Sequence, residues 1–537
     1  MRPNKLFLFT LLFFILVFGC SAPGAIATPA PATVQLLATL EQPPAPFSTP
    51  APTFISSAPT STSAANPPPI TTRGPYLAYQ VQAGDRAFIK FLDADGSGQA
   101  SFSYPDHAAP ENFQDPLSNT LSPDGKWLAW YSGSAGSCMG EVGLETADLT
   151  LNLLNLADGT TRLVTPLLSK DYPNIFAKAA QQLGRADVTA AMLQNAFVCG
   201  IAQSLDWSPD GRYLAFAGQM DGLSSDLYLY DSTSGAITRL SSGPQEVEWV
   251  SWSPDGKWIM DGSSYMVGEG MVYDIYATSL DGKTVKQLTN ATPSNITSAD
   301  WLNDHTYFVS NGANGPGSYN LQLVDINTGK TSTLWPGSYN SYTFAPDGDW
   351  VALFANTPTW PYTGSNFQTG VFLVNTTTLK QTRVNSSGTW GCCQPPDIQS
   401  LGHIKEYSFL TWDDSSQAIQ YLSSDGKLTP ANVQAVNFSV SPDRLKWIAF
   451  GANIQIFSDD GSLLRTVDLP AALDPKNISS IIWRPDSSGL FFTYGDPLAA
   501  NVPSQLFALE LSQGVPVQVD QFSSPLTENF FWVAGSR

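Results

Sequence analysis

One tetrapeptide places an aspartate in the same frame again and again. Ser122-Pro123-Asp124-Gly125, Ser208-Pro209-Asp210-Gly211 and Ser253-Pro254-Asp255-Gly256 are identical in pattern, and Ala345-Pro346-Asp347-Gly348 differs only at its first residue. Carboxylates brought together could do general acid–base work. These occur one per repeat, in a frame that suits a turn. Proline presets φ, the aspartate accepts backbone N–H bonds, and glycine takes positive φ. The four are therefore read as turn residues.

The remaining reactive side chains are few. The histidines are His107, His305 and His403. His305 falls at a strand–turn position and reads as structural. His403 is read in one long loop with Trp390 and the adjacent pair Cys392-Cys393. Ser424-Asp425-Gly426-Lys427 fits Ser-x-x-Lys in form, but its Asp-Gly reads as a strand connection. Asp93-Ala94-Asp95-Gly96-Ser97-Gly98 opens as a calcium loop would, yet no acid closes it at the usual distance, so a hairpin turn is expected. There is no Gly-x-Ser-x-Gly, no His-Glu-x-x-His and no phosphate-binding glycine loop. No catalytic residue, cofactor or metal is assigned.

The elements that carry these residues are short strands. In 247–289, Val247 to Trp252 alternates, Lys257-Trp258-Ile259-Met260 returns, Val272 to Ala277 is a third strand, and Val285 to Thr289 a fourth. The same order recurs at 203–240. Spacing between copies is about 45 residues, a period that signals blades packed around a ring. Repeated Trp-Ser-Pro-Asp-Gly-Lys, then Asp226-Leu227-Tyr228, then Arg239-Leu240, resembles the TolB-type, WD40-like propeller repeat. The resemblance implies an all-β propeller of four-stranded antiparallel blades over 74–537. First or paired strands fall near 121, 207, 252, 301, 344, 412, 440 and 483. The copies at 412 and 440 are too close in sequence to count as two full blades, so with the blade formed by the two ends eight blades are expected, with seven or nine as the neighbouring counts. Pro75 to Tyr79 and Asn529 to Val533 are expected to share one blade and latch the ring.

Strand order assigns the loops to two faces. Connections from first to second and from third to fourth strands share one face, and they read as uniformly tight. Second-to-third and blade-to-blade connections share the other face and hold the long insertions. These are 133–148, 167–203 with a small helical insertion, 357–370 and 386–406. Long loops on a rigid scaffold usually carry binding. Trp360, Tyr362, Phe367, Trp390 and His403 are the candidate binding residues there. Cys138, Cys199, Cys392 and Cys393 all fall on this face. A Cys138–Cys199 bridge is expected, and Cys392-Cys393 is either a vicinal disulfide or two thiols.

The N-terminus directs export. Arg2 and Lys5 precede an apolar run too short to span a bilayer, and Gly19-Cys20 resembles a bacterial lipobox. That resemblance implies a signal peptide at 1–19 and a diacylglyceryl thioether at Cys20. Residues 20–73 are rich in Pro, Thr, Ser and Ala, and are expected to form a disordered tether reaching about 150 Å if fully extended at about 3.1 Å per residue. A formal charge of -20 argues against nucleic-acid partners. The expectation is a lipoprotein on the outer face of the cytoplasmic membrane or on an outer membrane. Its propeller would be a non-catalytic platform for a protein, peptide or cell-wall glycan. The alternative is a propeller glycoside hydrolase or lyase with channel carboxylates at first-strand starts; Asp206, Glu248 and Asp300 sit near such places.

Overall fold

The computed structural model describes most strands and turns between residues 75 and 533, and two short strands at 54–55 and 62–63. Residues 1–53, 104–116, 133–149, most of 170–203, 356–369, 385–397, 402–408 and 523–529 lie outside the described residues, as do shorter stretches. Within the described residues there are nine sheets, and the sheets are the blades of a propeller. The blade count expected from sequence, eight, is corrected to nine.

The first blade joins the two ends of the ring. Phe530–Val533 is its innermost strand, followed outward by Tyr76–Ala83, Arg86–Asp93 and Gln99–Ser103. Leu77 pairs with Trp532, so the expected latch is present. In the second blade a four-residue helix, Leu117–Thr120, holds the place of the first strand, and Leu121 makes a single bridge to Leu128. The third and fourth blades, beginning at Leu205–Trp207 and Glu246–Trp252, follow the repeat as read. The next five begin at Asn295–Trp301, Ser341–Phe344, Ile398–Ser400, Asn437–Val440 and Ile478–Trp483.

The miscount arose at the seventh blade. Trp412 lies in its second strand, Phe409–Asp413, and not at the end of a first strand. The first strand is Ile398–Ser400, so this blade and the next are both complete. Two segments of the tether pair with outer strands. Phe54–Ile55 lies antiparallel to the fourth strand of the third blade, and Thr62–Ser63 to that of the second.

Each seam between blades is apolar, because a single blade leaves both faces uncovered. Tyr76, Ile89 and Phe91 of the first blade pack with Leu128 and Trp130 of the second. The seam between ninth and first blades, with Phe491 and Leu506 against Leu77 and Tyr79, closes the circle. Polar side chains on the rim strengthen it. Asp520 of the last outer strand accepts from both Tyr79 Oη and Lys90 Nζ at 2.6 Å. Arg162, on the second blade's outer strand, stacks between Trp127 and Tyr230 and reaches the Ser232 carbonyl. Arg465 does the same work farther round, donating to the carbonyls of Leu511, Ser512 and Gln513.

Candidate functional surface

The repeated turns use their own reactive groups. Ser253 Oγ donates to Asp255 Oδ1 at 2.8 Å and accepts from Trp258 N at 3.0 Å. Asp255 Oδ1 also accepts from Lys257 N, and Gly256 sits at φ 70. The Ser122/Asp124, Ser208/Asp210 and Ser441/Asp443 turns repeat these bonds. Partial burial would raise the Asp255 carboxyl, but bonds from Lys257 and Ser253 win and hold it below its ordinary value. Asp124, Asp210 and Asp255 are turn locks, as their spacing predicted, and Asp347 lies outside the described residues. Ser423 and Asp425 build the same lock between third and fourth strands, which gives Ser-x-x-Lys a structural role. Asp95 accepts from Ser97 N and Oγ, making that segment a turn. His305 is exposed on the turn after Trp301, where its carbonyl accepts from Ile326 N.

The first strands line the axis of the ring. They cannot pair with one another, so side chains bridge them. Asp206 is fully buried, and its Oδ2 accepts from Trp252 N in the next blade at 2.8 Å. Gln399 Oε1 accepts from Val440 N in the same way, and Ser439 Oγ accepts from Trp483 Nε1. Asp206 is thus a bridge between blades. Asp300 Oδ1 accepts from Trp301 N. Glu248 is different. The register slips between Val247 and Trp249, leaving Glu248 on a bulge of an innermost strand. Burial raises its carboxyl above the ordinary range, against a bond from Ser264.

A second polar device escaped the sequence reading. Asp226 opens the third strand of the third blade and Asp274 lies midway along that of the fourth, and both are buried. Asp226 pairs with Arg239 at 2.5 Å and accepts from Gly243 N. Asp274 accepts from Thr289 Oγ1, Tyr265 Oη and Gln287 Nε2. In each blade the hydroxyl of Ser241 or Thr289 also accepts a third-strand N–H. The Asp-Leu-Tyr and Arg-Leu segments were legible as repeat marks; their contact across the blade was not.

The expected binding residues lie outside the described residues, but the strands around them fix their place in the chain. Trp360, Tyr362 and Phe367 fall between second and third strands of the sixth blade, Trp350–Ala355 and Gly370–Asn375. Trp390, Cys392 and Cys393 fall between its fourth strand and the first strand of the seventh blade. Cys138 falls between second and third strands of the second blade, and Cys199 before the third blade. In chain order these are second-to-third and blade-to-blade connections. His403 is not among them: Ile398–Ser400 separates it from Trp390, so in chain order it belongs to a connection between first and second strands. That connection also breaks the expectation that all such turns are tight. Cys20, His107 and the helical insertion are likewise outside the described residues.

The sequence profile of the TolB β-propeller domain matches residues 143–382. Over these residues the propeller is similar to the TolB-like family. An uncharacterised protein of Agrobacterium fabrum is 32% identical over 159 residues, covering 27% of this chain and 51% of that protein. The Tol-Pal system protein TolB of Francisella tularensis is 29% identical over 120 residues, covering 22% of this chain and 26% of TolB. An uncharacterised peptidase of Bacillus subtilis is 29% identical over 153 residues, 28% of this chain and 21% of that one. The chain thus spans about half or less of the length of these relatives. TolB from Acinetobacter baumannii aligns in structure with a TM-score of 0.29 at 20% identity, over 57% of this chain and 62% of that one. The matched residues include the Ser208 and Ser253 turn locks and the Asp226 and Asp274 clasps, whereas the locks at Ser122, Ser423 and Ser441 lie outside them.

Proposed function

We propose that this chain is an exported lipoprotein, anchored through Cys20, whose TolB-like propeller is a non-catalytic platform for a protein or peptide partner. One observation carries the reading. The propeller has two unlike sides. One carries mostly short turns locked by their own serine and aspartate, and it offers little that differs between blades. The other carries the connections that vary in length and composition, including those of Trp360 and Trp390. Variable connections on a rigid ring are where partner recognition develops. A cell-wall glycan is the other occupant that the aromatic side chains suit.

The experiment is capture from solubilised envelope with the full chain, followed by hydrogen exchange of the complex. Protection should concentrate at 133–149, 356–369 and 385–397. Protection confined to the 122–125, 208–211 and 253–256 turns would contradict the reading.

Glu248 supports a second reading, a glycoside hydrolase or lyase. A carboxyl raised by burial on an innermost strand is what a general acid needs. Under that reading Glu248→Gln abolishes turnover of an oligosaccharide or polyuronide panel. Under the platform reading the panel is not turned over by either form.

A further inference from the structure

Asp261 stands where other blades place core side chains. The residue that closes each first strand pairs with one residue of the second strand; Trp252 pairs with Ile259, for example. Two residues beyond that partner, six other blades carry Trp130, Phe216, Val309, Leu353, Ala449 and Phe492. All six are buried apolar side chains. The fourth blade has Asp261 there, only 3% exposed. Alternation puts it on the same face as Ile259, which packs into the seam with the third blade.

This end of the seam is short of positive charge. Asp261 Oδ2 accepts from Ser263 Oγ at 2.8 Å. Across the seam, Asp226 is 1% exposed and takes the guanidinium of Arg239. From the third blade, Tyr228 and Asp221 also face this region, hydrogen-bonded to one another. From the fourth blade come Glu246, which accepts from Ser225 N, Asp274 and Tyr276; Tyr273, which packs with Met260 toward the fifth blade, and Glu248, bonded to Ser264, lie on the other face of the sheet. Arg239 is the one cation among these groups, and Asp226 holds it. Backbone bonds knit the two blades at this point: Val247 N donates to Ser225 O, and Ser225 Oγ to Val247 O.

We propose that the seam between the third and fourth blades is a proton-operated latch, shut while Asp261 is neutral and loosened when it ionises. A buried carboxylate without a cation is costly, and a protonated one is tolerated. Burial, with the Asp226 charge adding to it, pushes the Asp261 carboxyl up to about 7, against the Ser263 hydroxyl. In the opened seam it titrates near about 3.9. The closed form therefore keeps a proton that the open form gives up between those values. Closure weakens as pH rises across that window and levels off above it. The strand that carries Asp261 continues into the long hairpin of Trp258–Val267 and Gly270–Ser279, so loosening reaches the second-to-third side of the ring.

The test is hydrogen exchange of the full chain from pH 5 to 8.5, corrected for the intrinsic pH dependence of amide chemistry. Burial also pushes the Asp226 carboxyl up to about 7, against Arg239, so it adds to the same window. Peptides covering 213–231 and 246–265 should show an opening equilibrium that rises tenfold or more per pH unit, the linkage limit for one proton being about tenfold, and flattens above about 7. Asp261→Asn should lower that slope by about one proton, leaving the part that belongs to Asp226. Ser263→Ala takes away the donor that favours the charged form, so its plateau should begin at higher pH. A flat wild-type profile overturns the latch, as does an Asp261→Asn profile that keeps the wild-type slope. If Asp261→Asn does not fold, a Ser263→Ala plateau at the wild-type pH overturns it.

Discussion

Trp252 is held twice by Asp206 across the seam between the third and fourth blades. Its indole Nε1 donates to the Asp206 carbonyl at 2.9 Å, and its backbone N–H to Asp206 Oδ2 at 2.8 Å. Trp207 repeats the first bond one blade earlier, to the Thr120 carbonyl at 3.0 Å. Asp206→Ala should leave a buried N–H without that acceptor and cost about 1–3 kcal/mol. Asp206→Asn keeps an acceptor oxygen and should cost less. Denaturant unfolding of the two variants checks the order; equal losses would contradict the bridging role.

Gly262 lies where Trp249 and Tyr273 converge. A Cβ there would stand 2.2 Å from Trp249 Nε1 and 2.3 Å from Tyr273 Oη. Gly262→Ala should therefore cost about 1–3 kcal/mol by overpacking, although alanine is ordinarily harmless in a strand. The readout is the unfolding midpoint, with Gly235→Ala as a contrast: its Cβ would meet nothing within 4 Å, so strain at φ 74 is its remaining cost.

Much of the ring was legible because the turn chemistry is written in local sequence. Pro-Asp-Gly after an alternating strand marks a blade wherever it occurs. The seventh blade lacks that mark: Ile398-Gln399-Ser400 is short and its connection to Phe409 is long, so Trp412 took its place in the reading. The second blade hides its first strand differently, as the helix Leu117–Thr120. The return strand was read only as far as Met260, whereas pairing runs unbroken through Asp261-Gly262 to Val267. Contacts across a seam, such as Asp206 with Trp252, depend on ring closure and leave no mark within one repeat.

The worn copy at 441–444 carries strain that a glycine would relieve. Arg444 sits at φ 62, where Gly125, Gly211 and Gly256 sit in the intact turns. Arg444→Gly should stabilise the eighth blade by about 0.5–1 kcal/mol. A calorimetric scan that shows a lower melting temperature would count against this.

Acid should weaken the third blade through Asp231. Partial burial alone would raise its carboxyl. Bonds from Arg212, Thr233 and Ser234 reverse this and hold it at about 2. A depressed carboxylate stabilises the fold above its unfolded value of about 3.9, and that stabilisation is lost as pH falls from about 4 to about 2. Asp231→Asn should be less stable than wild type at pH 5, and the gap should close by pH 2. A gap that stays constant from pH 5 to 2 would contradict the assignment.

Cys20→Ser tests the anchor. The variant should move from the membrane fraction to the soluble envelope or medium. Equal membrane retention would show that the chain is held by something other than a lipid on Cys20.

The platform reading is tested most directly by partner capture alongside thermal unfolding for Trp360→Ala, Trp390→Ala and Trp252→Ala. Trp252 is buried in a seam, and its loss should cost about 3–5 kcal/mol. Trp360 and Trp390 belong to connections of the variable face, so their loss should weaken capture about tenfold or more while leaving the melting temperature near wild type. If both variants melt as early as Trp252→Ala, or both capture partner as wild type does, the variable face is not where this propeller binds.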